Sequence, residues 1–130
     1  MVEKKQSPPE PANLTTTDCD ITILGIKRNV LKISPHCWKR NEEFRDSKKK
    51  IIQENLNQYL LDKKVIRDLV QQIREEYIWF EGISKKWPAW KYYGHDGLVD
   101  KRNNLSYLMI FLLDDDNPEI IGVITVYPPK

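Results

Sequence analysis

Leu105-Ser-Tyr-Leu-Met-Ile-Phe-Leu-Leu-Asp-Asp-Asp-Asn-Pro-Glu-Ile-Ile-Gly-Val-Ile-Thr-Val-Tyr127 is the stretch on which the fold turns. Residues 107–113 and 120–126 are short apolar runs rich in β-branched and aromatic side chains, the composition of buried strands. Asp114-Asp-Asp-Asn-Pro-Glu119 between them is made of turn formers, so the two runs read as an antiparallel hairpin. Because 108–113 is apolar at nearly every position, its strand is expected to lie inside a sheet with both faces covered.

Working back from the hairpin, Trp90-Lys-Tyr-Tyr93 reads as the start of a third strand of a meander. Gly94 and Gly97 bracket His95-Asp96 and suggest a tight turn there. Further upstream, Val65, Ile66, Leu69, Val70, Ile73 and Tyr77 recur at helical spacing behind Asp62, a candidate N-cap. A longer helix is expected from Ser34-Pro35 to about residue 61, with Cys37, Phe44, Ile51, Ile52, Leu56 and Tyr59 on its apolar side and Pro35 at the first helical position. Before it, residues 21–26 and 30–33 read as a small hairpin or a pair of short strands, with turn chemistry at Gly25 and Lys27-Arg28-Asn29. Strands segregated from helices predict an α+β fold: an antiparallel sheet of about 4–5 strands with two helices packed on one face.

Residues 1–18 carry prolines, charges and small polar side chains, which predicts a flexible N-terminal arm ahead of a single α+β domain at 19–130. A chain of 130 residues suits one core of ordinary size. Cys19 and Cys37 come without a secretory signal or a zinc-binding spacing, so reduced thiols and no metal or other cofactor are expected. No apolar run approaches the roughly 20 residues that span a bilayer, so the expected location is cytoplasmic and away from membranes. The net charge of +2 is small, yet nine Lys or Arg face three acids between Lys27 and Lys50. That imbalance predicts a patch of positive potential around the first helix, which suits an anionic partner, with a solvated face as the more ordinary reading.

His36, one turn from Arg40 and flanked by Lys39, is the first candidate for acid–base work, since four residues bring side chains together on a helix. His95 beside Asp96 is the second. Tyr92 and Tyr93 are candidates for stacking a base, and Thr125 and Tyr127 for lining a phosphate pocket at the end of the last strand. Each has an ordinary structural reading as well: a core or turn histidine, packed aromatics and strand propensity.

The segment Ile33-Ser-Pro-His-Cys-Trp-Lys-Arg40, followed much later by Ile124-Thr-Val-Tyr-Pro-Pro129, resembles the two ends of the barnase, colicin and RelE-like ribonuclease-toxin superfamily. The resemblance implies a metal-independent endoribonuclease acting on RNA or the ribosome by 2′-hydroxyl attack, countered by a protein inhibitor. In that reading His36, Arg40 and His95 are catalytic, and Lys39, Tyr92, Tyr93, Thr125 and Tyr127 hold substrate. The same residues also suit a non-enzymatic protein-interaction module of immunity, antitoxin, accessory or regulatory type, or a nucleic-acid-binding domain without turnover.

Overall fold

The computed structural model describes residues 14–38 and 60–127. In chain order the elements are β1 (Thr15–Ile23), β2 (Ile26–Ile33), the helix α1 (Lys63–Val70), a 3-10 turn (Glu75–Tyr77), β3 (Trp79–Ile83), β4 (Trp90–Asp100), β5 (Leu105–Asp114) and β6 (Ile120–Tyr127). They form one six-stranded sheet in the order β1-β2-β6-β5-β4-β3. All neighbours are antiparallel except β2 and β6, which run parallel with Val30 opposite Ile120 and Ile33 opposite Val123.

The expected antiparallel sheet of 4–5 strands under two helices is therefore wrong on three counts. The sheet is mixed, it has six strands, and α1 is the only helix of seven or more residues among the described residues. The expected first helix begins as one turn, with Cys37 and Trp38 N–H groups donating to the Ser34 and Pro35 carbonyls; beyond Trp38 it lies outside the described residues. The second is shorter than its apolar spacing suggested. Asp62 caps it as expected, its Oδ1 accepting from the Val65 N–H at 2.9 Å, but the chain leaves the helix after Val70. Strand β1 starts at Thr15, so residues 15–18 of the expected arm pair with β2.

The hairpin of β5 and β6 is where the sequence put it, with Leu113 opposite Ile121 and Leu108 opposite Tyr127. β5 lies inside the sheet between β6 and β4; its inner face is buried, while on its outer face Leu108 and Ile110 are half-buried and only Leu112 is buried, so the expected cover of both faces is incomplete. Tyr107, Met109, Phe111 and Leu113 point to the inner face, where they meet Leu31, Ile33, Ile121, Val123 and the α1 side chains Val65, Ile66, Leu69 and Val70. Burying each such side chain stabilises the fold by about 1.5–3 kcal/mol before entropy is counted.

α1 packs against both β1 and β4, the first and fifth strands of the sheet. In a flat sheet those strands would stand roughly 19 Å apart at about 4.8 Å per step, wider than a helix of about 10–12 Å. The sheet must curl around the helix. Register breaks at Asp18/Ile21, His95/Leu98, Phe80/Gly82 and Ile110/Phe111 supply the bulges that bend it.

On the outer face, Trp79 lies across Gly94 so closely that a Cβ added at Gly94 would fall inside the indole. Gly94→Ala is expected to lower stability by about 1–3 kcal/mol, and most of that loss is expected to vanish in a Trp79→Ala background. Thermal melts of the four variants of this cycle provide the check.

Candidate functional site

His36 is exposed, and its backbone N–H donates to Ser34 Oγ at 3.2 Å in the helical turn that follows β2. That turn is held against the last strand: the Ser34 N–H donates to the Val123 carbonyl at 2.9 Å, and Cys37 Sγ lies 3.7 Å from the Ile124 carbonyl. The helix start and β6 are thus neighbours. Lys39 and Arg40 lie outside the described residues.

Thr125 does not face a pocket beside His36. Ile124 is the extra residue of a bulge, which sets Thr125 opposite Ile110 and Val126 opposite Met109. Val126 and Cys37 belong to the inner core, so Thr125 points to the other face. There it is buried, and its Oγ1 has no hydrogen-bond partner. A hydroxyl enclosed in this way is not offered to a phosphate. Thr125→Val, close in shape, is expected to raise stability by about 1 kcal/mol by removing an unsatisfied polar group, read as a higher melting temperature. Tyr127 is exposed at the C-terminal end of β6, the end toward which the turn after β2 runs.

His95 is 4% exposed and sits within β4, paired with Met109, and the two residues after it, Asp96 and Gly97, form a bulge instead of the expected turn. Both of its ring nitrogens are engaged by backbone. Nε2 accepts from the Arg74 N–H at 3.1 Å, and Nδ1 faces the Asp96 carbonyl at 2.6 Å, which fixes the proton on Nδ1. Its role here is to hold the chain where α1 gives way to β3, with Tyr77 packed edge-on against the ring at 6.2 Å. β5 and β6 separate the strand of His95 from β2, which leads into the helix start, a gap of about 14 Å across the sheet. The two histidines do not share a site.

Tyr93 is the middle ring of a ladder on the inner face, 5.6 Å from Phe80 on β3 and 5.8 Å from Phe111 on β5. Tyr92 pairs with Leu112 and Gly82 on the opposite face. Tyr92 and Tyr93 therefore cannot stack on one base together. Tyr107 is likewise structural: burial pushes its phenol up to about 12, Asp100 adding to that and Arg102 opposing it.

The end of the sheet that the sequence reading passed over is more unusual. Leu24 and Gly25, which join β1 to β2, both have left-handed backbone, φ 55° and 77°. Such a two-residue turn favours Asn-Gly or Gly-Gly. Of the exposed large apolar side chains, Leu24 at 52% and Ile26 at 41% belong to this hairpin, Tyr77 at 61% to the 3-10 turn, Phe80 at 55% and Ile83 at 52% to β3, and Tyr127 at 41% to the end of β6. The Gly25 N–H donates to Glu75 Oε1 at 3.3 Å, which brings the hairpin tip against the 3-10 turn carrying Tyr77. Arg28 props the tip from beneath, its Nη2–H donating to the Ile23 carbonyl at 3.0 Å and its Nη1–H to the Pro118 carbonyl at 2.6 Å. Burial lowers the affinity of this guanidinium for its proton, while Asp115 and Tyr93 oppose that effect. The Gly25–Glu75 contact joins the β1–β2 hairpin tip to the 3-10 turn, and exposed apolar side chains stand on both elements. A signal was present in the sequence: Leu24-Gly25 stands where a hairpin usually has Asn-Gly.

Among the described residues, no three His, Cys, Asp or Glu side chains gather as a metal site, and no helix is long and apolar enough to cross a membrane. Compared with known proteins, the chain matches no family model, no curated protein and no solved structure.

Proposed function

We propose that this domain is a protein-interaction module that docks through the apolar end built from Leu24, Ile26, Tyr77 and Phe80. The observation that carries the reading is Leu24. Left-handed backbone costs a residue with a Cβ about 1–2 kcal/mol, and at half exposure leucine does not regain that by burial. Neither turn chemistry nor the core favours it, and what it does provide is apolar surface on a braced hairpin tip. The exposed aromatics beside it, Tyr77 and Phe80, are of the type that anchors interfaces.

The ribonuclease reading draws less support from the geometry. His95 has no free ring nitrogen, and the Thr125 hydroxyl is enclosed. The two readings separate in one experiment on three chains: wild type, His36→Ala and Leu24→Asn. Each is incubated with total RNA and, tagged, with extract of the source cells. The module predicts intact RNA throughout and a captured protein shared by wild type and His36→Ala but lost with Leu24→Asn. RNA cut by the wild type and spared by His36→Ala would return the case to the nuclease.

A further inference from the structure

We infer that Tyr77 and Phe80 receive a proline-rich, basic segment of another protein, bound as a polyproline II helix; the inference rests on the docking reading above and names its partner. Two aromatic rings lean on neighbouring positions of β4 from the inner side of the sheet. Tyr77 packs edge-on against His95 at 6.2 Å, and Phe80 packs edge-on against Tyr93 at 5.6 Å. Tyr93 and His95 are two residues apart on one strand, so they share a face at a spacing of about 7 Å. Both outer rings are more than half exposed. They stand as two ridges over those positions.

A polyproline II helix advances about 3.1 Å per residue, so two of its residues cover about 6 Å, close to the spacing of the ridges. It arrives already extended, and its unpaired carbonyls can accept from the Tyr77 hydroxyl. An added β-strand suits this edge less, because β3 has five residues and its register breaks between Phe80 and Gly82. The charges select a basic partner. The 3-10 turn and β3 carry Arg74 against Glu75, Glu76 and Glu81. Arg74 is taken by Glu76 at 2.8 Å, and Glu81 is drawn toward the outer face by the Trp79 indole N–H. Glu75, two residues before Tyr77, accepts the neutral Gly25 N–H and has no cation within ion-pair distance among the described residues. Lys85 and Lys86 lie past Ile83, beyond the end of β3. A lysine or arginine beside the prolines supplies the missing charge. The same excess of carboxylates repels a phosphate backbone, which sets this surface apart from a nucleic-acid site.

Fluorescence anisotropy of the full chain tests this with labelled peptides of about ten prolines and leucines, through which one arginine is stepped. At least one member of the set is expected to bind with half-saturation below about 1 mM. Exchanging the prolines of that peptide for alanine is expected to weaken binding about tenfold, as is Tyr77→Ala or Phe80→Ala in the protein. Glu75→Gln keeps an acceptor for the Gly25 N–H and is expected to weaken binding about threefold, a difference that fades at high salt. Failure of every peptide, equal binding of the alanine form, or binding unchanged by both Tyr77→Ala and Phe80→Ala overturns the inference. Capture of this chain itself from the extract, with no proline-rich protein, overturns it too. If the proline peptides fail while Leu24→Asn still loses a captured protein, the docking reading stands and the partner class is the part that fails. If Leu24→Asn keeps the captured protein, the docking reading itself fails.

Discussion

Asp100→Ala is expected to lose about 2–3 kcal/mol of stability, read as a drop in the midpoint of urea unfolding with the slope unchanged. The Asp100 side chain is buried at the end of β4, where it accepts four hydrogen bonds. Oδ1 takes the Arg102 N–H at 3.0 Å and Arg102 Nε–H at 3.1 Å; Oδ2 takes Arg102 Nη2–H at 2.8 Å and Asn103 Nδ2–H at 3.2 Å. Arg102 Nη2 also donates to the Leu60 carbonyl at 2.7 Å, tying the entry of α1 to the β4–β5 turn. Removing the carboxylate strips the guanidinium of its counter-charge and loosens both elements.

The same site sets an acid dependence. Burial acts to raise the Asp100 pKa, but the hydrogen bonds from Arg102 and Asn103 and the guanidinium charge outweigh it and hold the carboxyl below its usual range. A carboxyl whose folded value lies below its unfolded value, about 3.9, contributes stability above that pH and loses it as pH falls through the folded value. Melting temperature is therefore expected to fall below about pH 4, and to fall less steeply in Asp100→Asn, which starts from a lower plateau.

The second large effect has two opposite signs in one substitution. Leu24→Asn is expected to raise stability by about 0.5–1 kcal/mol, or about 2–4 °C in melting temperature, because asparagine tolerates the left-handed backbone at this position. It is also expected to abolish most association through the apolar end. A residue kept only for the turn would give no such loss, and a residue kept for packing would lower the melting temperature when replaced. Gain of stability with loss of binding is the pattern of a side chain that serves a surface.

What the sequence disclosed depended on how local the controlling physics was. The β5–β6 hairpin was legible because strand composition and turn residues agree within 23 consecutive residues. The Asp62 cap was legible for the same reason. The parallel pairing of β2 with β6 was not, since it joins residues about 90 positions apart and leaves no local mark. β3 was missed because Trp79-Phe-Glu-Gly-Ile83 is short, bulged and at the edge, with half its apolar surface in water. Ile73 and Tyr77 keep helical spacing beyond the end of α1, yet Ile73 enters the core from a turn and Tyr77 stands out from the 3-10 segment.

The surroundings of His95 were hidden from the sequence for a related reason. Glycines around His95 suggested an accessible turn, whereas they accommodate a bulge inside a strand and the Trp79 ring. Residue chemistry marked His36 and His95 as candidates, but the hydrogen-bond inventory of His95 depends on Arg74, which sequence cannot place beside it. Leu24 could have been singled out from sequence, had the turn been fixed at Leu24-Gly25 instead of being spread to Lys27-Arg28-Asn29.

The claim at the centre is the proposal that this molecule makes its contacts at the β1–β2 hairpin tip and the 3-10 turn that it touches. Photo-crosslinking in the source cells tests it most directly, with a benzophenone side chain placed in turn at Tyr77, at Lys101 and at Tyr127. Lys101 and Tyr127 are exposed positions at the opposite end of β4 and β6. Adducts from position 77 that disappear with Leu24→Asn, and none from 101 or 127, are the expected result. Adducts from 127 or 101 with none from 77 would contradict the account.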